Sequence, residues 1–288
     1  MPNTYHFVRN ELEDTYGLLK LQDKIAEIMV YLDGFCRDHG LKYFLLGGSA
    51  LGAMRHQGFI PWDDDLDILM PYDDYMKFIA YCKTDLDTER FYFQEEDSKE
   101  NPYFFSKVRM NGTTCLEEVF RNRKDMHQGI FIDVMCLNHG APKGIRRDIQ
   151  YACGELLRAG ALAKLPEYKA TGKKAFLIGL AKVIVRGWFK KLLLRQVRKY
   201  NSRETETVCH ILGRAKKHNA YYPSRLFREQ RYVPFEQVRF AVCNGVEEYL
   251  TIRFGKDCMQ MPSEETKAQF PQHAMIWDTD KNYTEYLK

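Results

Sequence analysis

The chain has 288 residues, of which 45% are hydrophobic, and its formal net charge is +4. This length and composition are typical of a globular protein with an ordinary apolar core, built as one large domain or two small ones. The net charge is too small to indicate a nucleic-acid partner, and we expect none. The eight cysteines are scattered singly, without a Cys-x-x-Cys pair, which favours a reducing, cytoplasmic compartment over a zinc or redox site.

Hydrophobic periodicity divides the first half of the chain into alternating helices and strands. Helices are predicted at 17–39, at 49–55 with Ser49 as N-cap, and at 72–82. Strands are predicted at 41–48, 65–70, 91–95, 104–110, 113–120 and 129–137.

The second half reads as mainly helical. Helices are predicted at 144–164, 174–199, 202–218 and 235–253, followed by an irregular tail at 254–288. We therefore predict an α+β protein with a catalytic core over 1–143. The region 144–288 is expected to complete the active site on its acceptor side.

Three aspartates point to a metal site. Asp65 and Asp67 are two positions apart on a predicted strand, so both carboxylates leave the same face. Asp133 lies in the apolar strand GIFIDVMCL, where a lone carboxylate is costly to bury without a partner. Oxygen ligands of this kind suit Mg²⁺, or Mn²⁺ in its place, and one shared cation would offset the charge of all three.

Other residues near these aspartates suit a phosphate group. Gly48 and Ser49 lie between a strand and a helix, where glycine allows close approach and a helix N-terminus offers donors. Lys107 and Arg109 alternate on one strand face and could hold further phosphate charge. Taken singly, these features read as a turn, a solvated acidic loop and a solvent-facing strand. Their ordered combination favours metal-assisted phosphoryl transfer.

The motif GGSALGAMRHQGFIPWDDDLDI, starting at Gly47, resembles the signature of the LicD family, which includes relatives of fukutin. The resemblance continues in the segments 105–114, 129–142 and 249–274, and it is weakest over 150–230. It implies a nucleotidyltransferase (DNA polymerase β-like) fold with a mixed sheet flanked by helices. It also implies transfer of a substituted phosphate, with phosphocholine favoured, from a CDP-linked donor to a glycan hydroxyl with release of CMP.

The resemblance assigns roles residue by residue. Gly48 and Ser49 match the phosphate-holding turn, Asp65 and Asp67 the metal pair, and Asp133 the third aspartate, which would orient or deprotonate the acceptor hydroxyl. Asp63 and Asp64 are expected to be loop residues, and Arg55 and His56 to flank the phosphate. Glu264, Lys267 and His273 are candidates for the acceptor side. Asn138 departs from the family pattern, which often has an aspartate there, so no role is assigned to it.

Residues 173–199 form a basic amphipathic pattern. Lys182, Arg186 and Lys190 recur every four residues, and apolar residues including Trp188 fill the opposite face. Such a helix can lie in a membrane interface, or pack on the domain with its basic face in solvent. No uncharged apolar run of about 18 residues and no signal segment is present, so we predict no membrane-spanning helix. Peripheral contact with the inner face of the membrane stays open.

Three functions compete. The first is the CDP-dependent phosphotransferase, with CDP-choline, CDP-ribitol or CDP-glycerol as donor and a glycan of lipopolysaccharide, teichoic acid or capsule as acceptor, carried on a lipid in some settings. The second is a true nucleotidyltransferase that releases pyrophosphate. The third is a nucleotide-binding scaffold, which the presence of all three aspartates disfavours.

Overall fold

A computed structural model describes residues 14–165, 167–213 and 215–287. The first half alternates helices and strands, as predicted. Its elements are α1 (Leu19–Asp38), β1 (Phe44–Leu45), α2 (Gly47–His56), β2 (Asp67–Pro71), α3 (Tyr72–Cys82), β3 (Phe91–Gln94), β4 (Ser106–Met110), β5 (Thr114–Glu117) and β6 (Phe131–His139).

The second half contains more strand than the sequence indicated. Its elements are α4 (Ile145–Leu162), α5 (Gly172–Ile184), α6 (Gly187–Arg198), β7 (Thr207–Cys209), β8 (Tyr221–Pro223), β9 (Gln230–Phe235), β10 (Val238–Cys243), α7 (Val246–Phe254), the single turn α8 (Glu264–Lys267) and β11 (Ala274–Asp278). The α+β class is confirmed, whereas a mainly helical second half describes only 145–198.

A mixed sheet organises the first half of the chain. Its strand order is β1-β2-β6-β4-β3, and β2 pairs parallel with β6 while the other neighbours on this path are antiparallel. The C-terminal end of β6 pairs with β7, and β7 in turn pairs with β8. Because β6 is paired on both edges and covered by helices, its sequence over 131–137 is an almost unbroken apolar run with Asp133 as the exception.

The main core lies between this sheet and helices α1 and α3. The apolar stripe of α1 is buried, and Gly40 ends the helix with φ +64°, a conformation that favours glycine. Helix α3 begins directly after Pro71, with Asp73 and Asp74 in its positively polarised first turn. Both helices match their predicted ranges to within two residues.

Three predicted helices of the second half are corrected. The range 174–199 is two helices, because the chain turns at Arg186 and Gly187 adopts φ +49°. The range 202–218 holds β7 and one 3₁₀ turn, because pairing with β6 and β8 outweighs local propensity. The range 235–253 begins with β10, which pairs with β9 across a turn at Glu236, where φ is +54°. The tail is also less irregular than expected, since β11 pairs with β5.

Candidate active site

One row of side chains crosses four neighbouring strands of the sheet. Asp67 on β2 lies opposite Asp133 on β6, Asp133 lies opposite Lys107 on β4, and Lys107 lies opposite Gln94 on β3. Residues directly opposite each other project to the same side of a sheet. The two predicted strand aspartates and the predicted lysine are therefore immediate neighbours, in the order Asp67, Asp133, Lys107.

Lys107 is the central cation of this row. Its side chain is 2% exposed, and its Nζ lies 2.7 Å from Asp133 Oδ1 and 3.7 Å from Glu117 Oε2. The same ammonium lies 3.5 Å from the centroid of the Phe131 ring. A buried ammonium needs such partners, since leaving it without them costs several kcal/mol. Lys107 thus neutralises part of the carboxylate charge around Asp133.

Arg109 shares the strand face of Lys107 but contacts protein groups. It is fully buried; its Nε donates to Gln94 Oε1 at 2.6 Å and its NH1 to the Gly129 carbonyl at 2.8 Å. Its NH2 lies 3.6 Å from Glu117 Oε2. As placed, Arg109 fixes Gln94 and Glu117 around Lys107, and its predicted contact with phosphate stays a prediction.

The Gly-Gly-Ser segment forms the first turn of α2, and the prediction of Ser49 as its N-cap is wrong. Leu46 occupies the N-cap position, and Gly47, with φ +54°, donates its N–H to the Tyr249 hydroxyl at 2.9 Å. Ser49 Oγ accepts the N–H of Asp67 at 2.8 Å and so joins the helix to the first residue of β2. A hydroxyl that accepts in this way still has a proton to donate.

Gly48 lies against the acidic loop. A Cβ at this position would stand 2.9 Å from Asp63 Oδ2, so a side chain here would displace that carboxylate. The Gly48 N–H makes no hydrogen bond within the described residues. This start of α2 therefore presents a backbone donor close to the aspartates, which is the arrangement expected of an anion-binding helix terminus.

The three acidic loop residues have different partners. Asp64 is buried and accepts the backbone N–H groups of His273 at 2.6 Å and Ala274 at 2.7 Å, which ties the loop to the tail. The carboxyl groups of Asp63 and Asp65 lie close enough for each to shift the pKa of the other. Asp65 is 24% exposed and lies in the loop before β2, so the prediction that it shares a strand face with Asp67 is wrong. Asp64 is thus a structural anchor of the loop, whereas Asp63 and Asp65 face each other.

Burial raises the pKa of Asp63, Asp65, Asp67 and Asp133 above the usual aspartate range. Repulsion between these neighbours raises it further; for Asp67 the added causes are Asp65 and Asp133. The opposing influence comes from Lys107 and, at Asp65 and Asp67, from His273. Carboxylates outnumber cations here, so the site has the charge that a divalent cation would offset.

These oxygen donors suit a hard cation such as Mg²⁺. Across the described ranges, no three His, Cys, Asp or Glu side chains already form a closed ligand set. Mg²⁺ is usually held by one or two carboxylates together with substrate phosphates and water. Asp65 and Asp67 would therefore need substrate phosphate and water to complete the ligands of a Mg²⁺ ion.

The tail brings His273 to the carboxylates. Its Nδ1 lies 3.2 Å from Asp64 Oδ1 and 3.3 Å from Asp65 Oδ2. This position follows from the pairing of β11 with β5, in which Ala274 lies opposite Glu117. His273 was predicted for the acceptor side, and the structure puts it directly beside the predicted metal pair.

Two other tail residues, Lys267 and Glu264, do not contact the aspartates. The Nζ of Lys267 lies 4.4 Å from the centroid of the Trp62 ring and 2.7 Å from Glu264 Oε1. The Glu264 side chain is 86% exposed. Lys267 therefore packs on the loop that carries the aspartates, and the roles of both residues toward an acceptor stay predictions.

Arg55 and His56 end α2 and hold the tail. Arg55 NH1 donates to the carbonyls of Cys258 at 3.0 Å and Gln260 at 3.1 Å, while its Nε donates to His56 Nε2 at 2.9 Å. Burial and the neighbouring Arg55 lower the pKa of His56, which keeps the imidazole neutral as an acceptor. Their predicted contact with phosphate stays a prediction.

Asn138, to which no role was assigned, accepts a hydrogen bond from Asn201 at 2.9 Å.

Several known proteins are similar to this chain. Residues 40–135 match the family model described as LicD/FKTN/FKRP, nucleotidyltransferase domain. This segment is therefore similar to a LicD-family domain. The lipopolysaccharide cholinephosphotransferase LicD of Haemophilus influenzae is 29% identical over 259 residues, which cover 85% of this chain and 92% of that protein. The LicD-family resemblance inferred from the sequence motifs is thereby confirmed.

Shorter segments match two further proteins. Ribitol 5-phosphate transferase FKRP of Homo sapiens is 42% identical over 59 residues, which cover 20% of this chain and 11% of that protein. An uncharacterized protein of Rickettsia typhi is 50% identical over 40 residues, or 14% of this chain and 13% of that protein. The similarity to FKRP is thus confined to one segment, whereas the similarity to the Haemophilus enzyme extends over most of both chains.

Sequence patterns missed two residues that contact the site. Glu117 reaches Lys107 and Arg109 from β5, and Tyr249 binds Gly47 from α7. A glutamate ending the strand TTCLE could have been noticed as the partner of the basic strand residues. No local pattern could have indicated Tyr249, because its contact spans about 200 positions of the chain.

Proposed function

We propose that this protein transfers phosphocholine, or a related substituted phosphate, from a CDP-linked donor to a hydroxyl of a cell-surface glycan, with release of CMP. The proposal includes the nucleotidyltransferase fold for the segment similar to a LicD-family domain, with 1–143 as catalytic core and 144–288 completing the acceptor side. The observation that carries it is the row of Asp67, Asp133 and Lys107 across three strands, next to the free N–H at the start of α2.

Asp65 and Asp67 would hold Mg²⁺, with Asp133 beside them. When bound, the cation would neutralise charge that develops on phosphate oxygens. The chain's own groups have separate tasks. The Gly48 N–H and the Ser49 hydroxyl donate to a phosphate oxygen, and Asp133 orients the acceptor hydroxyl and takes its proton. Phosphoryl transfer depends mainly on positioning and electrostatics, so few further groups are needed.

Lys107 sets the charge of Asp133 in this proposal. An aspartate that accepts a proton must be ionised beforehand, and burial together with nearby carboxylates opposes ionisation. The ammonium 2.7 Å away favours the ionised form. We therefore propose that the main role of Lys107 is to keep Asp133 ionised, and that contact with the phosphate is its secondary role.

The donor is proposed from the extent of similarity. The relative similar over 85% of the chain is a cholinephosphotransferase, whereas the ribitol phosphate transferase matches in a 59-residue segment. CDP-choline is therefore the first donor to test, before CDP-ribitol and CDP-glycerol. A nucleotidyltransferase reaction is the second candidate, because the family model that matches is itself named for such a domain.

The test is CMP release from CDP-choline by the wild type and by the variants Asp65→Ala and Asp67→Ala. We expect each variant to lose at least about 100-fold, more than the 10- to 100-fold usual for changes outside the ligand set. Asp73→Ala, which removes an exposed acid from the first turn of α3, is the matched control and should keep full activity.

Two outcomes would contradict the proposal. Full CMP release by either variant would remove the metal-pair assignment, and pyrophosphate as the product from a CTP substrate would favour the nucleotidyltransferase. A thermal-shift screen of CDP-choline, CDP-ribitol, CDP-glycerol and CDP-ethanolamine then ranks the donors. We expect the largest stabilisation with CDP-choline.

A further inference from the structure

Helices α5 and α6 present an unusual outer surface. Three large apolar side chains on them are almost fully in solvent: Phe176 is 76% exposed, Val183 68% and Trp188 75%. Leu180 is 44% exposed and Leu192 is 40% exposed. Exposed apolar residues scattered singly are normal in soluble proteins, whereas several along the outer faces of neighbouring segments mark a candidate interaction site.

The arrangement follows helical geometry. Phe176, Leu180 and Val183 stand at positions i, i+4 and i+7 of α5, so they form one stripe. Trp188 and Leu192 stand at i and i+4 of α6. The inner faces of the two helices are occupied by Ala181 on α5 and by Leu193 and Val197 on α6, which are buried. The exposed stripes are therefore a second apolar face, in addition to the one that packs on the domain.

The charge around these stripes has a single sign. From residue 168 to residue 203 the sequence contains 11 Lys and Arg and no Asp or Glu. Lys190 and Arg198 pair with Asp97 and Glu96 elsewhere in the domain. The rest include five cations that pair with no carboxylate in the described part of the chain, namely Lys173, Lys182, Lys191, Arg195 and Lys199.

We propose that the α5–α6 surface docks on an anionic lipid membrane. An apolar stripe containing tryptophan, flanked by unpaired cations, matches the interface between lipid chains and negatively charged headgroups. Charge complementarity selects this occupant, because a second copy of the chain would bring the same uncompensated cations against each other. No described helix is both long and apolar enough to cross a membrane, so the contact is peripheral.

The experiment is co-sedimentation of the full chain with vesicles of phosphatidylcholine alone or with added phosphatidylglycerol. We expect binding to the anionic vesicles that falls as salt is raised. The double variant Phe176→Ser with Trp188→Ser should bind at least about 10-fold less tightly. Reversal of Lys182 and Lys191 to glutamate changes the charge by four units and should weaken binding on the order of 1000-fold, since each unit of charge near the surface contributes about 1 kcal/mol.

Matched controls separate this surface from general effects. Phe270→Ser removes an aromatic ring that is 67% exposed elsewhere, and it should leave vesicle binding unchanged. Lys20→Glu with Lys77→Glu changes the net charge by the same amount on α1 and α3, where both lysines are exposed, and it should weaken binding far less. Brominated lipids should quench the fluorescence of Trp188, and this quenching should be absent in Trp188→Phe.

Other results would overturn the proposal. These are equal binding to neutral and anionic vesicles, equal losses in test and control variants, or a dimer in sedimentation velocity that the Phe176/Trp188 double variant dissociates. The last result would identify a second copy of the chain as the occupant. Vesicle binding needs no catalysis. It can therefore fail while CMP release succeeds, and it can succeed while CMP release fails.

Discussion

The carboxylate row and the α5–α6 surface depart from ordinary packing in opposite ways. At the row of Asp67, Asp133 and Lys107, charges lie in the interior of the protein, where Lys107 pairs with Asp133 and with Glu117 from β5. At the surface, Phe176 and Trp188 carry apolar area into solvent, where the described chain offers them no cover. Each departure lowers the stability of the folded protein unless something compensates for it, and such exceptions to local rules tend to mark functional sites.

The two regions differ in where their stabilising partners come from. The row is stabilised by the chain's own counter-charges, so changing one member disturbs the folded state. The surface is independent of the folded core, so changing it should alter binding and leave stability nearly untouched. The following predictions test this contrast, from the largest expected effect to the smallest.

Lys107→Met should destabilise the protein by about 3–5 kcal/mol, because it leaves the buried carboxylate of Asp133 without its cation and Glu117 with Arg109 alone. Lys190→Met on α6 breaks the partly exposed pair with Asp97 and should cost less than about 1 kcal/mol. Urea unfolding measures both values. Equal losses for the two lysines would contradict the contrast.

His273→Ala should lower CMP release by about 10- to 100-fold and raise the Mg²⁺ concentration needed for half activity. The reason is that its Nδ1 lies 3.3 Å from Asp65 Oδ2 and helps to orient that carboxylate. The control is His218→Ala, which removes an exposed imidazole. An unchanged Mg²⁺ requirement in His273→Ala would show that the imidazole does not act through Asp65.

The buried His210 should make stability depend on pH. Burial, with added repulsion from Arg253 and Arg158, lowers its pKa to about 3, whereas the unfolded value is about 6.5. The unfolded chain therefore binds the proton first, and stability is lost as pH falls below about 6.5. Between pH 7 and pH 5 the loss should be about 2 kcal/mol.

His210→Gln should remove this part of the pH dependence. The comparison uses urea unfolding of wild type and variant at both pH values, and the difference between their slopes isolates the imidazole. His127, whose pKa burial also lowers to about 3, contributes equally to both proteins and cancels. Parallel pH profiles would mean that His210 accepts a proton in the folded state.

The double variant Phe176→Ser with Trp188→Ser should change the free energy of unfolding by less than about 0.5 kcal/mol, the range usual for surface positions. Both side chains are at least three-quarters exposed, so little packing is lost. Urea unfolding without lipid measures the change. A loss above about 2 kcal/mol would mean that these residues belong to the core.

The sequence was a good guide where periodicity is strong and local. Helices α1 and α3 and the strands that carry Asp67, Lys107 and Asp133 all follow from it, because buried faces repeat at helical or strand spacing. It was a poor guide where long-range pairing decides. The strand β7 and the position of His273 depend on partners far along the chain, and no local pattern encodes them. The strand β10 is different, because it pairs with the preceding strand β9 across a short turn and was missed although its partner is local.

The break between α5 and α6 is an intermediate case. Gly187 stands inside a helical pattern, and its φ of +49° ends that pattern. A glycine within a predicted helix could have suggested the break. At the active site, the alternation of Asp65 and Asp67 wrongly indicated a shared strand face, and only strand register brings Asp67, Asp133 and Lys107 into one row.

The central claim is that the aspartates near Asp67 are held together at a cost in order to bind a metal with the donor. Thermal unfolding of the wild type and Asp67→Asn, in EDTA and in Mg²⁺ with CDP-choline, tests it most directly. We predict that Asp67→Asn is more stable than the wild type in EDTA, since it relieves repulsion from Asp65 and Asp133. Mg²⁺ with CDP-choline should stabilise only the wild type. A variant less stable in EDTA, together with equal responses of both proteins to Mg²⁺ and CDP-choline, would contradict the account.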